Sequence, residues 1–154
     1  MVIEAGELRV GVIGLVTPNI PGWERPEHYR GLRFEPMDEV AREKVTLLRE
    51  QEGCDLVILL AHTGFEESFD GGVSSGTEFE DFGSRLSRIP GIDLILTGHT
   101  HEDIPPRELN GTVVSQPRAR ARLLTRIDLE LELEDGIWRV AGWEGRNLPL
   151  EKVK

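Results

Sequence analysis

Hydrophobic and polar positions alternate between two rhythms along this chain. Leu8-Arg9-Val10-Gly11-Val12-Ile13-Gly14-Leu15-Val16 is short and rich in β-branched residues, which predicts a strand. Thr17-Pro18-Asn19-Ile20-Pro21-Gly22-Trp23 stops it, because two prolines and a glycine forbid regular pairing. A loop follows to Phe34. Pro36 then opens a helix to about Glu52, with Met37, Val40, Ala41, Leu47 and Leu48 on or near one face and Gly53 as its stop. Residues 55–61 are apolar almost throughout, the pattern of a strand covered on both faces. Residues 63–77 read as a glycine- and serine-rich loop, and Glu78 to Ser87 as a second helix carrying Phe79, Phe82 and Leu86. Pro90-Gly91 ends that helix, and residues 92–97 give another strand.

The order is β-α-β-α-β. Such crossovers join parallel strands with one hand, so the C-terminal ends of the three strands are expected on one edge, where open α/β sheets bind ligands. The last third changes character. Thr112 to Ser115 is a short strand after the turn Leu109-Asn110-Gly111. Leu123 to Leu133 alternates from Ile127 onward, and Glu134-Asp135-Gly136 turns it into Ile137 to Trp143 as a hairpin. No internal repeat or linker marks a second domain, so residues 1–154 are expected to form a single unit.

Composition narrows the function. The 154 residues carry 18 Lys and Arg against 28 Asp and Glu, a net charge of −10. That field repels a nucleic-acid backbone, so no nucleic-acid polymer is expected as a partner. A small phosphate ester is compatible with it, since a bound divalent metal dominates its own site. Cys54 is the single cysteine, which rules out an internal disulfide and leaves the compartment open. No apolar run approaches the ~18 residues of a membrane span, and Met1 to Glu7 has neither a basic leader nor an apolar core, so no membrane association or export signal is expected.

The candidate chemistry lies in three of the four histidines. His62 follows one apolar strand; His99 and His101 follow another, in Gly98-His99-Thr100-His101. A lone strand-end histidine is ordinarily a turn residue, and His28 reads as a solvated loop residue. His-x-His is more specific, because alternate residues of an extended chain point the same way. Three imidazoles on one sheet edge point to a transition-metal site. The catalytic residues proper, and any substrate-binding ones, are not legible.

The same residues carry a resemblance. Gly11 to Pro18 (GVIGLVTP), Val57 to Gly64 (VILLAHTG), Gly98 to His101 (GHTH) and Thr112 to Leu129, with Gln116-Pro117 in register, resemble in order four motifs of the calcineurin-like metallophosphoesterases, in the branch of 5'-nucleotidases and 2',3'-cyclic-nucleotide phosphodiesterases. The resemblance implies an α/β fold, the C-terminal half of a four-layer α-β-β-α metallophosphoesterase sandwich. It also implies two divalent metal ions (Mn, Zn or similar), with His62 and His99 ligating one and His101 the other. Such a pair clamps a phosphate ester and activates a bridging water.

The pattern departs from the family in one respect. The Asp-x-His, Gly-Asp and Gly-Asn-His motifs that precede the first strand in relatives have no counterpart here, nor does the nucleotidase domain that follows. Part of a phosphoesterase site is therefore expected, inactive alone, with a nucleotide or other small phosphate ester as ligand and the remaining half, or a second copy of the chain, as partner. A non-catalytic half-domain that binds a partner is the alternative. Arg118-Ala119-Arg120-Ala121-Arg122 replaces a glycine-rich turn and reads as a solvated basic turn. A metallo-β-lactamase-like reading of His99-Thr100-His101-Glu102-Asp103 fails at Ile104, where that motif needs histidine, and leaves His62 without a role.

Overall fold

The apolar runs fold as parallel strands. A computed structural model describes residues 1–66, 69 and 80–150. In order the elements are β1 (Val2–Ala5), β2 (Leu8–Val16), α1 (Ile20–Trp23), α2 (Met37–Thr46) running into a π-helical turn (Leu47–Gln51), β3 (Leu56–His62), α3 (Gly83–Leu86), β4 (Leu94–Thr97), β5 (Ile104–Leu109), β6 (Thr112–Gln116), β7 (Leu123–Glu134) and β8 (Ile137–Pro149). Six strands form one mixed sheet in the order β1-β2-β3-β4-β6-β5. Strands β2, β3, β4 and β6 are parallel neighbours, while β1 and β5 close the two edges antiparallel. Strands β7 and β8 pair with each other alone as a long hairpin. No helix is long and apolar enough to cross a membrane among the described residues.

The core sits on one face of the sheet. Met37, Ala41 and Val45 of α2, Leu48 of the π turn, and Leu86 of α3 pack with Ile13, Val57, Leu59, Ala61, Ile95 and Val114. Gly11 lies on this face and has no Cβ for a reason of space, since one would come within 2.8 Å of the Leu48 side chain. Gly53 ends the helix in the left-handed conformation that suits glycine (φ 61°). At the N-terminal end of β4, Asp93 accepts a hydrogen bond from the Val57 amide (2.7 Å) and pairs with Arg49, whose guanidinium also donates to the Asp55 carbonyl (2.6 Å).

The other face differs from the sequence expectation. Strand β3 is not covered on both sides along its whole length: Val57 and Leu59 are 0% exposed, but Leu60 is 47% exposed and Val16, the partner of His62 on β2, 44%. Toward the start of the strands this face is buried, at Leu56 and Leu94. At the β5–β6 end the hairpin covers it, where Ser115 Oγ meets Thr125 Oγ1 (3.5 Å) and Val113 lines a cleft with Val140 and Trp143. The second helix is also shorter than its pattern. It spans Gly83–Leu86 alone, Phe82 precedes it, and Glu78 and Phe79 lie outside the described residues. The run 63–77 falls largely outside them as well.

Candidate metal centre at the strand-end histidines

Parallel pairing does bring strand ends together. Val16, His62 and the end of β4 lie side by side, with the Thr17 amide donating to the His62 carbonyl (3.1 Å). The imidazoles of His62 and His99 meet edge to face, ring centroids 5.1 Å apart. Gly98 lies beside this pair, where a Cβ would make ordinary van der Waals contact with His62 Nδ1 (3.7 Å). His99 and His101 both hold left-handed backbone (φ 82° and 62°). For residues bearing a Cβ this conformation costs on the order of 1–3 kcal/mol each, and it concentrates at functional sites.

Gln116 secures the turn from below. It is fully buried, donates through Nε2 to Thr100 Oγ1 (2.9 Å) and the Glu102 carbonyl (3.1 Å), and accepts from Thr97 Oγ1 (3.2 Å). It thus grips the residues on either side of His101. His101 itself turns toward an open cleft shared with Arg118, Arg120 and Arg122. His28 stands in the loop before α2, exposed and paired with Glu24 (2.6 Å), as a solvated residue.

Residues with no motif of their own complete the surroundings of His99. The Trp23 ring stacks on it at 5.5 Å, Glu80 Oε2 lies 3.5 Å from its Nε2, and Asn19 Nδ2 donates to the other oxygen of Glu80 (2.6 Å). Asp81 is 1% exposed, and neither of its oxygens has a hydrogen-bond partner among the described residues. Burial raises its pKa, opposed by the charge of His99 and the nearby Gly64 amide. A Cβ on Gly64 would strike Asp81 Oδ1 and the Thr100 methyl, so this glycine is required by space.

Partial desolvation, then the charges of His99 and His101, lower the pKa of His62, which favours the neutral imidazole that a metal needs. Imidazole and carboxylate donors are the right chemistry for a divalent transition metal. As they stand, no three His, Cys, Asp or Glu side chains converge closely enough to hold one among the described residues. His62 and His99 come together, and His101 is set toward a neighbouring cleft.

No family model matches the chain. Individual proteins do. The trifunctional nucleotide phosphoesterase protein YfkN of Bacillus subtilis is 34% identical over 152 residues, covering 90% of this chain and 10% of that protein. The crystal structure of calcineurin-like phosphoesterase YfkN superposes with a TM-score of 0.78 at 32% identity, over 92% of this chain and 45% of that one. The 2',3'-cyclic-nucleotide 2'-phosphodiesterase/3'-nucleotidase of Salmonella typhimurium is 27% identical over 156 residues, 93% of this chain and 23% of that protein. A candidate 5'-nucleotidase of Staphylococcus aureus, crystallised with alpha-ketoglutarate, superposes with a TM-score of 0.81 at 27% identity, over 100% of this chain and 30% of that one. The chain thus spans a tenth to a quarter of the length of these two curated relatives. The chain belongs with the calcineurin-like phosphoesterases, among relatives of the 5'-nucleotidases and cyclic-nucleotide phosphodiesterases.

Proposed function

We propose that this chain supplies part of a metal-dependent phosphoesterase site that hydrolyses nucleotide or cyclic-nucleotide phosphate esters. The observation that carries the reading is the meeting of His62 and His99, from the ends of parallel strands β3 and β4, at 5.1 Å between ring centroids. His62 and His99 would ligate one divalent ion and His101 a second. Such ions supply positive charge to the phosphate and acidify a water. This chain's own residues orient the donors. Trp23 and Glu80 hold the His99 ring, and Gln116 fixes the turn on which His99 and His101 stand.

The aspartate and asparagine ligands of the family have no counterpart in these 154 residues, so they are to come from polypeptide outside them. Hydrolysis of bis-p-nitrophenyl phosphate and AMP in manganese tests this. No turnover is expected from the 154 residues alone, and turnover is expected when a fragment carrying the Asp-x-His and Gly-Asn-His motifs is co-expressed. Metal-dependent turnover by the chain alone, lost in His99→Ala, would overturn the half-site. A stable complex without turnover would overturn the enzyme.

The uncovered apolar face around Leu60 and Val16 favours a second reading, a non-catalytic half-domain that binds a partner or itself. The two readings part on whether the complex turns over substrate.

A further inference from the structure

The turn between β6 and β7 carries Arg118, Arg120 and Arg122, alternating with Ala119 and Ala121. All three arginines are exposed. The backbone is left-handed at two successive residues, Arg120 (φ 64°) and Ala121 (φ 50°). Glycine adopts this conformation freely, whereas each residue with a Cβ gives up roughly 1–2 kcal/mol. The chain therefore keeps side chains where a turn alone would be served better by glycine.

Those side chains face one place. Arg118, Ala119, Arg120 and Arg122 line an open cleft of about 240 Å³, and the fifth wall is His101. His101 stands two residues along the chain from His99, whose ring meets that of His62. The cleft thus adjoins the strand-end histidines.

The charges there are unspent. Elsewhere carboxylates take up some of the guanidinium groups, Arg49 pairing with Asp93, Arg85 with Glu66 and Arg126 with Asp128, while Arg25, Arg30 and Arg42 stand singly among the described residues. None of the three turn arginines has a carboxylate at ion-pair distance among the described residues. Three unpaired guanidinium groups around one opening, in a chain of net charge −10, form a local positive field. Guanidinium donors match phosphate oxygens in pairs. The cleft falls short of the ~300–1,000 Å³ of a pocket that swallows a whole ligand, so it suits one phosphate group and not a nucleoside.

We propose that the arginine turn is a second phosphate subsite. It holds the non-reacting phosphate of a substrate that carries two or more, such as a nucleoside diphosphate. The reacting phosphate then lies toward His62 and His99. Anion capture at the turn stands without the proposed function, whereas the substrate class rests on it.

The test uses metal-free protein, kept so with EDTA, and calorimetric titration with inorganic pyrophosphate, ADP and AMP at low and high salt. Saturable pyrophosphate binding that weakens with salt is expected. ADP should bind more tightly than AMP. The variant R118Q/R120Q/R122Q should lose at least tenfold in pyrophosphate affinity and all of the preference for ADP. R33Q/R42Q/R139Q, which removes the same charge elsewhere on the surface, should lose less than threefold. Because all six side chains are exposed, thermal melting should show both variants folded. Equal losses in the two variants would reduce the effect to net charge and overturn the subsite, as would absence of saturable pyrophosphate binding in the wild type. A preference for ADP that survives R118Q/R120Q/R122Q would overturn the substrate class. His62→Ala should leave pyrophosphate binding in place, so failure of the metal site and failure of the arginine turn give different results.

Discussion

The two faces of the central sheet are built from the same residue types and meet different fates. On strand β3, Val57 and Leu59 are sealed beneath α2, the π turn and α3, while Leu60 on the reverse side is 47% exposed. Leucine follows leucine, and only the parity differs. One face is a finished core. The other is buried at Leu56, Leu94 and Val113 but open toward the C-terminal ends of β2 and β3, around Leu60 and Val16. Uncovered apolar sheet beside a histidine-bearing edge is what a shared site would leave on one contributor.

The largest expected effect separates the faces by one residue. Leu59→Ala removes a fully buried side chain and should destabilise by about 2–5 kcal/mol. Leu60→Ala, measured by the same denaturant titration, should cost less than about 1 kcal/mol. Equal losses would mean that the second face is covered in solution.

Next comes the packing under the histidine turn. Gly64→Ala drives a methyl against the Asp81 carboxylate and Thr100, and should cost about 1–3 kcal/mol while disturbing the His99–His101 turn. A variant as stable as the wild type would show that this corner is loose.

A smaller effect on stability but a large one on association is expected at Leu60→Lys. The charge should suppress any concentration-dependent self-association seen by sedimentation and block rescue by the complementary fragment. Unchanged association would place the partner surface elsewhere.

The smallest effect lies at the opposite edge of the sheet. Burial raises the pKa of Asp93 above its ordinary 3.8, against the pull of the Val57 amide and Arg49. The folded protein thus binds this proton more tightly than the unfolded chain. Its contribution is full in acid below 3.8 and is lost as pH rises through the folded value. Asp93→Asn should flatten that part of the stability profile while leaving the histidine edge untouched. A variant with the wild-type slope would remove Asp93 from the cause.

Much of this fold was legible because its strands are long or sharply bounded. Strand β2 has the limits its sequence predicts, and the parallel order of β2, β3 and β4 placed two histidines together. The edges were not legible. Strand β5 contains Pro105 and Pro106, residues that argue against a strand except at an edge, where β5 lies. Strand β1, Val2–Ala5, is too short and mixed to show a period. An unbroken apolar run conceals which of its faces is covered, so the bare side of β3 could not be read. The second helix was overextended because Phe82 packs into the core from a non-helical position, beside the bridge between Gly64 and Asp81. Around the site, His62 and His99 announced themselves by motif. Glu80, Asp81 and Trp23 did not, because only the folded chain brings them to His99.

The most direct test is calorimetric titration of the protein with Zn²⁺ at neutral pH, comparing the wild type with His62→Ala, His99→Ala and the control His28→Ala. Weak, saturable binding is expected, weaker again below about pH 6 where protons compete for imidazole. Each of His62→Ala and His99→Ala should weaken it at least tenfold, and His28→Ala should leave it unchanged. Identical binding by the wild type and His62→Ala would contradict the metal centre and return His62 to a turn residue at the end of a strand.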